Sequence, residues 1–188
     1  MVVVAIAGQP GCGSTTIGKM LAGQLGTGFF SLGKWNKEQL KIIEGRSTSN
    51  ETQDSIEMWK NKRGSSDEFH NSSDIKQKEI AAKGNVVIDA KLGIHMLRGF
   101  ADFSVWLKAP ENVRAERYAK RDRTDMKEAL KALKEKEKLE RESWKRIYGF
   151  DYFEQEDEAD LAIDVGNKAP EEIVQMILKE MKKRNLVP

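Results

Sequence analysis

Unbroken apolar runs alternate along the chain with segments whose apolar residues recur every three or four positions. Val2-Val3-Val4-Ala5-Ile6-Ala7 is continuous, rich in β-branched residues and closed by Gly8, which predicts a strand buried on both faces. Ile17, Met20, Leu21 and Leu25 then follow helical spacing, and Gly26 is placed to end that helix. Phe29-Phe30-Ser31 predicts a short second strand. Residues 33–82 are polar and predicted helical, with breaks near Gly45 and Gly64, and the Ser/Asn-rich stretches 47–52 and 65–73 suggest mobile connections. Three more strands are predicted at 85–89, 103–107 and 161–164. Pro110 suits the first turn of the helix that follows the second of these. A long, highly charged helical stretch occupies 121–146, and a final helix carries Ile173, Val174, Ile177, Leu178 and Met181 on one stripe. Strands separated by helices require right-handed crossovers, so the pattern predicts an α/β fold with a five-stranded parallel sheet covered by helices on both faces. Without an internal repeat or a second apolar core, residues 1–188 read as one domain with two appendages, at about 31–83 and about 121–147.

Composition narrows the class without changing this picture. Of the 188 residues, 39% are hydrophobic and 33% charged, which supports a packed core under a charged surface and argues against global disorder. No apolar run approaches the roughly 20 residues that span a bilayer, and the opening run is too short, and lacks the basic leader, for a signal peptide. The single cysteine, Cys12, permits no internal disulfide and fits a reducing compartment. A net charge of +2 gives no reason to expect nucleic-acid binding. A cytoplasmic protein, monomeric and without a membrane partner, is the expectation.

The chemistry begins where the first strand meets the first helix. Gly8-Gln9-Pro10-Gly11-Cys12-Gly13-Ser14-Thr15 has the spacing of a phosphate-binding P-loop in its proper strand-to-helix context. Glycines let backbone amides converge on phosphate oxygens, and the helix adds its positive end. An ordinary tight turn is the plainer alternative. Thr15 occupies the position whose hydroxyl coordinates Mg²⁺. Ser14 stands where such loops carry lysine. Losing one preorganised contact costs about 3 kcal/mol of transition-state stabilisation unless another cation replaces it. Lys19 lies a full turn too far along, so basic residues of the appendages are expected to supply the charge. Asp89, ending an apolar strand, either holds metal-bound water near the loop or caps the next turn. Cys12 is either a thiol activated at a helix N-terminus or a small residue wanted for packing.

With P-loop, polar helical insert, Asp89 strand and basic helical stretch in this order, the chain resembles nucleoside monophosphate kinases, and in detail the archaeal-type cytidylate kinase family. The resemblance runs from about Val2 to Lys182. Gly8 to Thr16 match that family's G-x-P-G-x-G-[ST]-T-T, which lacks the lysine, so Ser14 follows the family. Gln77-Lys78-Glu79-Ile80-Ala81, Asn85-Val86-Val87, Trp106-Leu107-Lys108-Ala109-Pro110, Val113-Arg114-Ala115-Glu116-Arg117 and Ile147-Tyr148-Gly149-Phe150-Asp151 add to it. The resemblance implies a P-loop NTPase fold and transfer of the γ-phosphoryl of MgATP to CMP or dCMP. Residues 31–83 would then be the monophosphate-binding region and 121–147 the lid. It places Gly8, Gln9, Pro10, Gly11, Cys12, Gly13, Ser14, Thr15 and Thr16 on ATP, and Ser31 and Gly33, as S-x-G, at the start of the monophosphate-binding helices. Arg117 and Arg121 match arginines near the adenine and the lid base. Lysine replaces the family's arginine at Lys37, Lys76 and Lys91 on the acceptor side and at Lys136 in the lid. Asp89 replaces glutamate. Ser143 replaces another lid arginine, with Arg141 and Arg146 near enough to compensate. The implied catalytic set is Arg117, Arg121, Arg141 and Asp89. Lysine keeps the charge but not bidentate phosphate recognition, which leaves the acceptor open.

Other readings remain. The arginines at 117, 121 and 123 also suit a solvated helix face paired with Glu116 and Asp122. Trp35 and Trp59 either stack on a base or pack a core. The alternating charges of 127–146 fit a solvated helix better than RNA binding, and His70 and His95 are too few and too far apart for a metal cluster. For the whole chain, a kinase relative that binds ATP without transferring phosphate, and a P-loop kinase for another small acceptor, stand beside the monophosphate kinase.

Overall fold

A computed structural model describes residues 1–44 and 51–187. The elements run β1 (Val3–Gly8), α1 (Ser14–Leu25), β2 (Gly28–Ser31), α2 (Leu32–Glu44), α3 (Glu51–Lys60), α4 (Asp67–Ala82), β3 (Val86–Asp89), α5 (Gly93–Met96), β4 (Phe103–Lys108), α6 (Glu111–Asp122), α7 (Met126–Tyr148), α8 (Gln155–Glu158), β5 (Leu161–Asp164) and α9 (Pro170–Lys183). The five strands form one parallel sheet in the order β2-β3-β1-β4-β5. This is the parallel α/β architecture that the alternation of runs predicts, and the P-loop NTPase fold that the resemblance implies.

The sheet is buried on both faces because its central strand has apolar side chains on both. Val2, Val4 and Ile6 of the β1 run join Phe103, Val105 and Leu107 against Ile17, Leu21, Ile173 and Ile177 of α1 and α9. Val3 and Ala5 face the other way, with Val86, Ile88, Ala81 and Leu97. Each fully buried aliphatic side chain of this kind contributes about 1.5–3 kcal/mol relative to exposure, so register is tightly fixed. That register pairs Ile6 and Ser31 with Asp89, and Gly8 with Leu107. The carboxyl ends of β1, β2, β3 and β4 therefore meet at one edge, the edge where open α/β sheets bind ligands.

Two stretches differ from the sequence-based expectation. Residues 65–73 are mostly not a connection: α4 starts at Asp67, and the Ser66 hydroxyl caps it by accepting from Phe69 N at 3.2 Å. Ser72 and Ser73 return their hydroxyls to Phe69 O, at 2.7 and 3.0 Å, which lets serine sit inside a helix. The charged stretch after Arg121 also divides. Asp122 ends α6, Arg123 takes a left-handed φ of 55°, and Asp125 caps α7 through Glu128 N. The break near Gly45, and the part of the predicted connection at 47–50, lie outside the described residues.

The appendages touch each other. Helix α7 packs along α6 and α3. Trp144 of α7 meets Trp59 of α3 edge-on at 5.2 Å, and His70 of α4 stacks on Trp59 at 4.8 Å. Trp59 is thus a core residue, and Trp35 likewise packs against the Val3 face of the sheet. Polar links extend this seam: Lys60 to Glu135 at 2.5 Å, Arg146 to Asp67 at 2.9 Å, and the Tyr148 hydroxyl donating to Asp74 at 2.6 Å. No described helix is long and apolar enough to cross a membrane.

Candidate active site

The turn between β1 and α1 is shaped by what it lacks. A Cβ on Gly8 would lie 2.4 Å from Leu107 O, so β1 approaches β4 only with glycine there. Gly13, the residue before α1, has a left-handed φ of 83°. It offers no side-chain cap, and the first turn of α1 holds no acid. By contrast α4 and α7 have side-chain caps, and α6 and α9 have glutamates in their first turns. The leading N–H groups of α1 are left for an anion, which the helix dipole favours. Gly13, Thr15 and Thr16 are exposed at this mouth and Ser14 is half-buried, whereas Gly8, Pro10 and Cys12 are buried. Gln9 is anchored to β4, its amide donating to Leu107 O at 3.0 Å and its Oε1 accepting from Ala109 N at 3.2 Å.

Asp89 stands opposite the loop. The Thr15 hydroxyl donates to its Oδ2 at 2.6 Å, and the Ser31 hydroxyl donates to the same oxygen at 3.3 Å. Ser31 also receives Lys34 N at 3.5 Å, so it begins α2 while facing Asp89. Gly33 is exposed in the first turn of α2, with open space where a Cβ would stand. The described residues contain no cluster of three metal-binding side chains. The Thr15–Asp89 pair nevertheless fits Mg²⁺, which keeps most of its waters and takes one or two protein oxygens beside the phosphates.

Cations converge here from four elements. Lys91, just past β3, donates through Nζ to Gly8 O at 2.5 Å. Burial pushes the pKa of Lys91 down and Lys136 reinforces this, against the pull of Glu140. Lys37 of α2 is also shifted down, chiefly by burial, against the pull of Glu51 and with Lys136 and Arg121 adding to the shift. Arg121 donates to the Thr52 hydroxyl, holds Asp122 at 2.8 Å through Nε and covers the Tyr118 ring at 4.4 Å. Lys136 lies 5.9 Å from the same ring and 3.7 Å from Glu140. Two lysines whose ammonium form burial disfavours, Lys37 and Lys91, make a site that gains from an added anion.

The remaining residues singled out from the sequence lie elsewhere. Arg117 serves the back of the loop, donating to Gly11 O and Cys12 O at 3.4 Å and to Val165 O at 2.8 Å. Arg141 turns to Asp151, with Nε at 2.9 Å, and covers Phe153 at 4.8 Å. Lys76 pairs with Glu79 on its own helix at 3.6 Å. Neither joins the cluster. Sequence reasoning passed over Arg114, which is only 5% exposed and donates to Ala109 O at 3.0 Å, Pro10 O at 3.2 Å and Glu137 at 2.7 Å. Its partner lies 23 residues away, and no local pattern announces the pair.

Cys12 is packed, not activated. Burial raises its thiol to about 11, despite the opposing charges of Lys91, Arg114 and Arg117. Iodoacetamide at pH 7.5 is therefore expected to leave it unmodified in the folded protein and to label it in denaturant. Labelling of the native protein within minutes would contradict this.

The sequence matches the cytidylate kinase-like family over residues 3–167, most of the chain. The chain belongs to that family. A cytidylate kinase of Ignicoccus hospitalis is 35% identical over 178 residues, covering 94% of this chain and 97% of the relative. One from Methanocaldococcus jannaschii is 36% identical over 152 residues, covering 79% and 80%. Among solved structures, a shikimate kinase from Aquifex aeolicus superposes with a TM-score of 0.59 and 22% identity, covering 98% of both chains. That likeness shows the P-loop NTPase fold. The matched stretch includes the loop and the strand that place Thr15 against Asp89.

Proposed function

We propose that the chain transfers the γ-phosphoryl group of MgATP to a nucleoside monophosphate, with CMP or dCMP as the acceptor. The observation that carries this reading is the meeting, at one sheet edge, of an uncapped helix end, the Thr15–Asp89 pair and cations from four elements. A P-loop that only bound ATP would need the first two. The cations of α2, α6 and α7 are suited to a second anion.

The reaction requires little covalent chemistry from the protein: two anionic phosphates are brought in line, shielded from water and neutralised. The loop amides and the N-terminal end of α1 hold the donor phosphates. Thr15 and Asp89 would hold Mg²⁺, directly and through its water, and the ion when bound neutralises charge on the β- and γ-oxygens. Lys37, Arg121 and Lys136 bind and orient the acceptor phosphate, while Ser31 and Gly33 start the helix beneath it. In this reading 31–83 is the acceptor-binding region, 121–147 the lid, and the enzyme works as a cytoplasmic monomer.

The test is a panel. Purified protein with MgATP is offered each ribo- and deoxyribonucleoside monophosphate, and shikimate and gluconate as unrelated acceptors. ADP formation is expected to favour CMP or dCMP at least tenfold. No turnover above ATP hydrolysis with any acceptor would overturn the reading.

One observation favours a second reading, a family member that binds ATP without transferring phosphate: Arg121 and Arg141 are both engaged by carboxylates of the chain itself. A dinucleotide that joins both substrates would then bind no tighter than ATP in calorimetry. Much tighter binding would exclude it.

A further inference from the structure

The P-loop contributes no cation of its own. Position 14 is serine, and Lys19 is exposed one turn further along α1. The two arginines that reach the loop engage its carbonyls and groups behind it. Arg114 binds Pro10 O, Ala109 O and Glu137, and Arg117 binds Gly11 O, Cys12 O and Val165 O. Lys91 is different. It follows β3, the strand beside β1, and its Nζ donates to the carbonyl of Gly8, the first residue of the loop. Its backbone carbonyl is held as well, accepting from Gln155 Nε2 at 2.9 Å, so the side chain is launched from a fixed point. An ammonium has three donors. One is used on Gly8 O, which leaves two for a bound anion.

We infer that Lys91 supplies, from the end of β3, the positive charge on the β- and γ-phosphates that a lysine at position 14 supplies in P-loops of the common pattern. The inference rests on the reading that this loop binds ATP. It moves Lys91 from the acceptor side, where the family resemblance puts it, to the donor side. The loop sequence then tolerates serine because the missing point charge arrives from the neighbouring strand, which the sheet register brings alongside. Lysine suits this task, since a single compact charge must satisfy one carbonyl and two phosphate oxygens without the planar geometry that arginine imposes.

Calorimetry without turnover tests this, using MgATP and CMP separately as probes of the full chain. Lys91→Met is expected to weaken MgATP binding at least about tenfold, the effect of losing a charge-assisted contact, with CMP affinity within about twofold of the starting protein. Adding Ser14→Lys to that variant is expected to restore MgATP affinity to within about threefold. Should Lys91→Met fail to fold, Lys91→Gln keeps a donor for Gly8 O without the charge and carries the same expectations. MgATP affinity unchanged in the variant, or CMP affinity lost while MgATP binding stands, overturns the inference. Weakened MgATP binding that Ser14→Lys does not restore overturns it too. A starting protein that binds no MgATP overturns the functional reading itself, a distinct result.

Discussion

Asp89→Asn is expected to lower the rate of phosphoryl transfer on the order of 10²–10³-fold, the size of effect seen when one preorganised electrostatic contact is removed. An asparagine oxygen still accepts from the Thr15 hydroxyl, 2.6 Å away in the present structure, and from Ser31. Folding and the geometry of the loop are therefore retained. What disappears is the negative charge that, in the proposed reading, orients a metal-bound water. Steady-state kinetics over a range of Mg²⁺ concentrations checks this: kcat falls, and the Mg²⁺ needed for half-maximal rate rises. A variant with unchanged kcat and unchanged Mg²⁺ dependence would remove Asp89 from the metal site and leave it as the cap of a turn.

Arg114→Met should destabilise the fold by about 3 kcal/mol, the low end for breaking a largely buried ion pair from one side. The methionine fills similar volume but leaves the Glu137 carboxylate and the carbonyls of Ala109 and Pro10 without their donor. For a chain of this size the loss corresponds to a fall in Tm of roughly 6–12 °C, measurable by calorimetry. Pro10 lies in the phosphate loop and Glu137 in α7, so ATP should also protect the variant less than it protects the parent. A Tm within roughly 2 °C of the parent would show that Arg114 is replaceable packing.

Much of this was readable in the chain before any fold was known. The β1 run announces a strand buried on both sides because six consecutive apolar residues leave no face for water. The loop after it is legible because its glycines and its threonine have fixed spacing. Asp89 was legible as the polar end of an apolar strand. The cation cluster was only half legible. Lys37, Lys91, Arg121 and Lys136 could each be suspected by resemblance, but which of them stand together depends on helix crossings that no local pattern encodes. Arg141 illustrates the limit: it sits near the position of a lid arginine in sequence, yet Asp151, ten residues on, draws it outward. The start of α4 was missed because serine and asparagine usually mark connections. Ser66 is a helix cap, and the serines after it bond back to Phe69 O.

The seam between α7 and the helices α3 and α4 has a consequence for traffic. Tryptophan and histidine rings form its dry centre, and ionic and hydroxyl links line its margin. Two arms latched along their length do not swing one at a time. If the cleft opens on this side, the latch would part as a unit, and in the proposed reaction passage through that doorway would then set the pace.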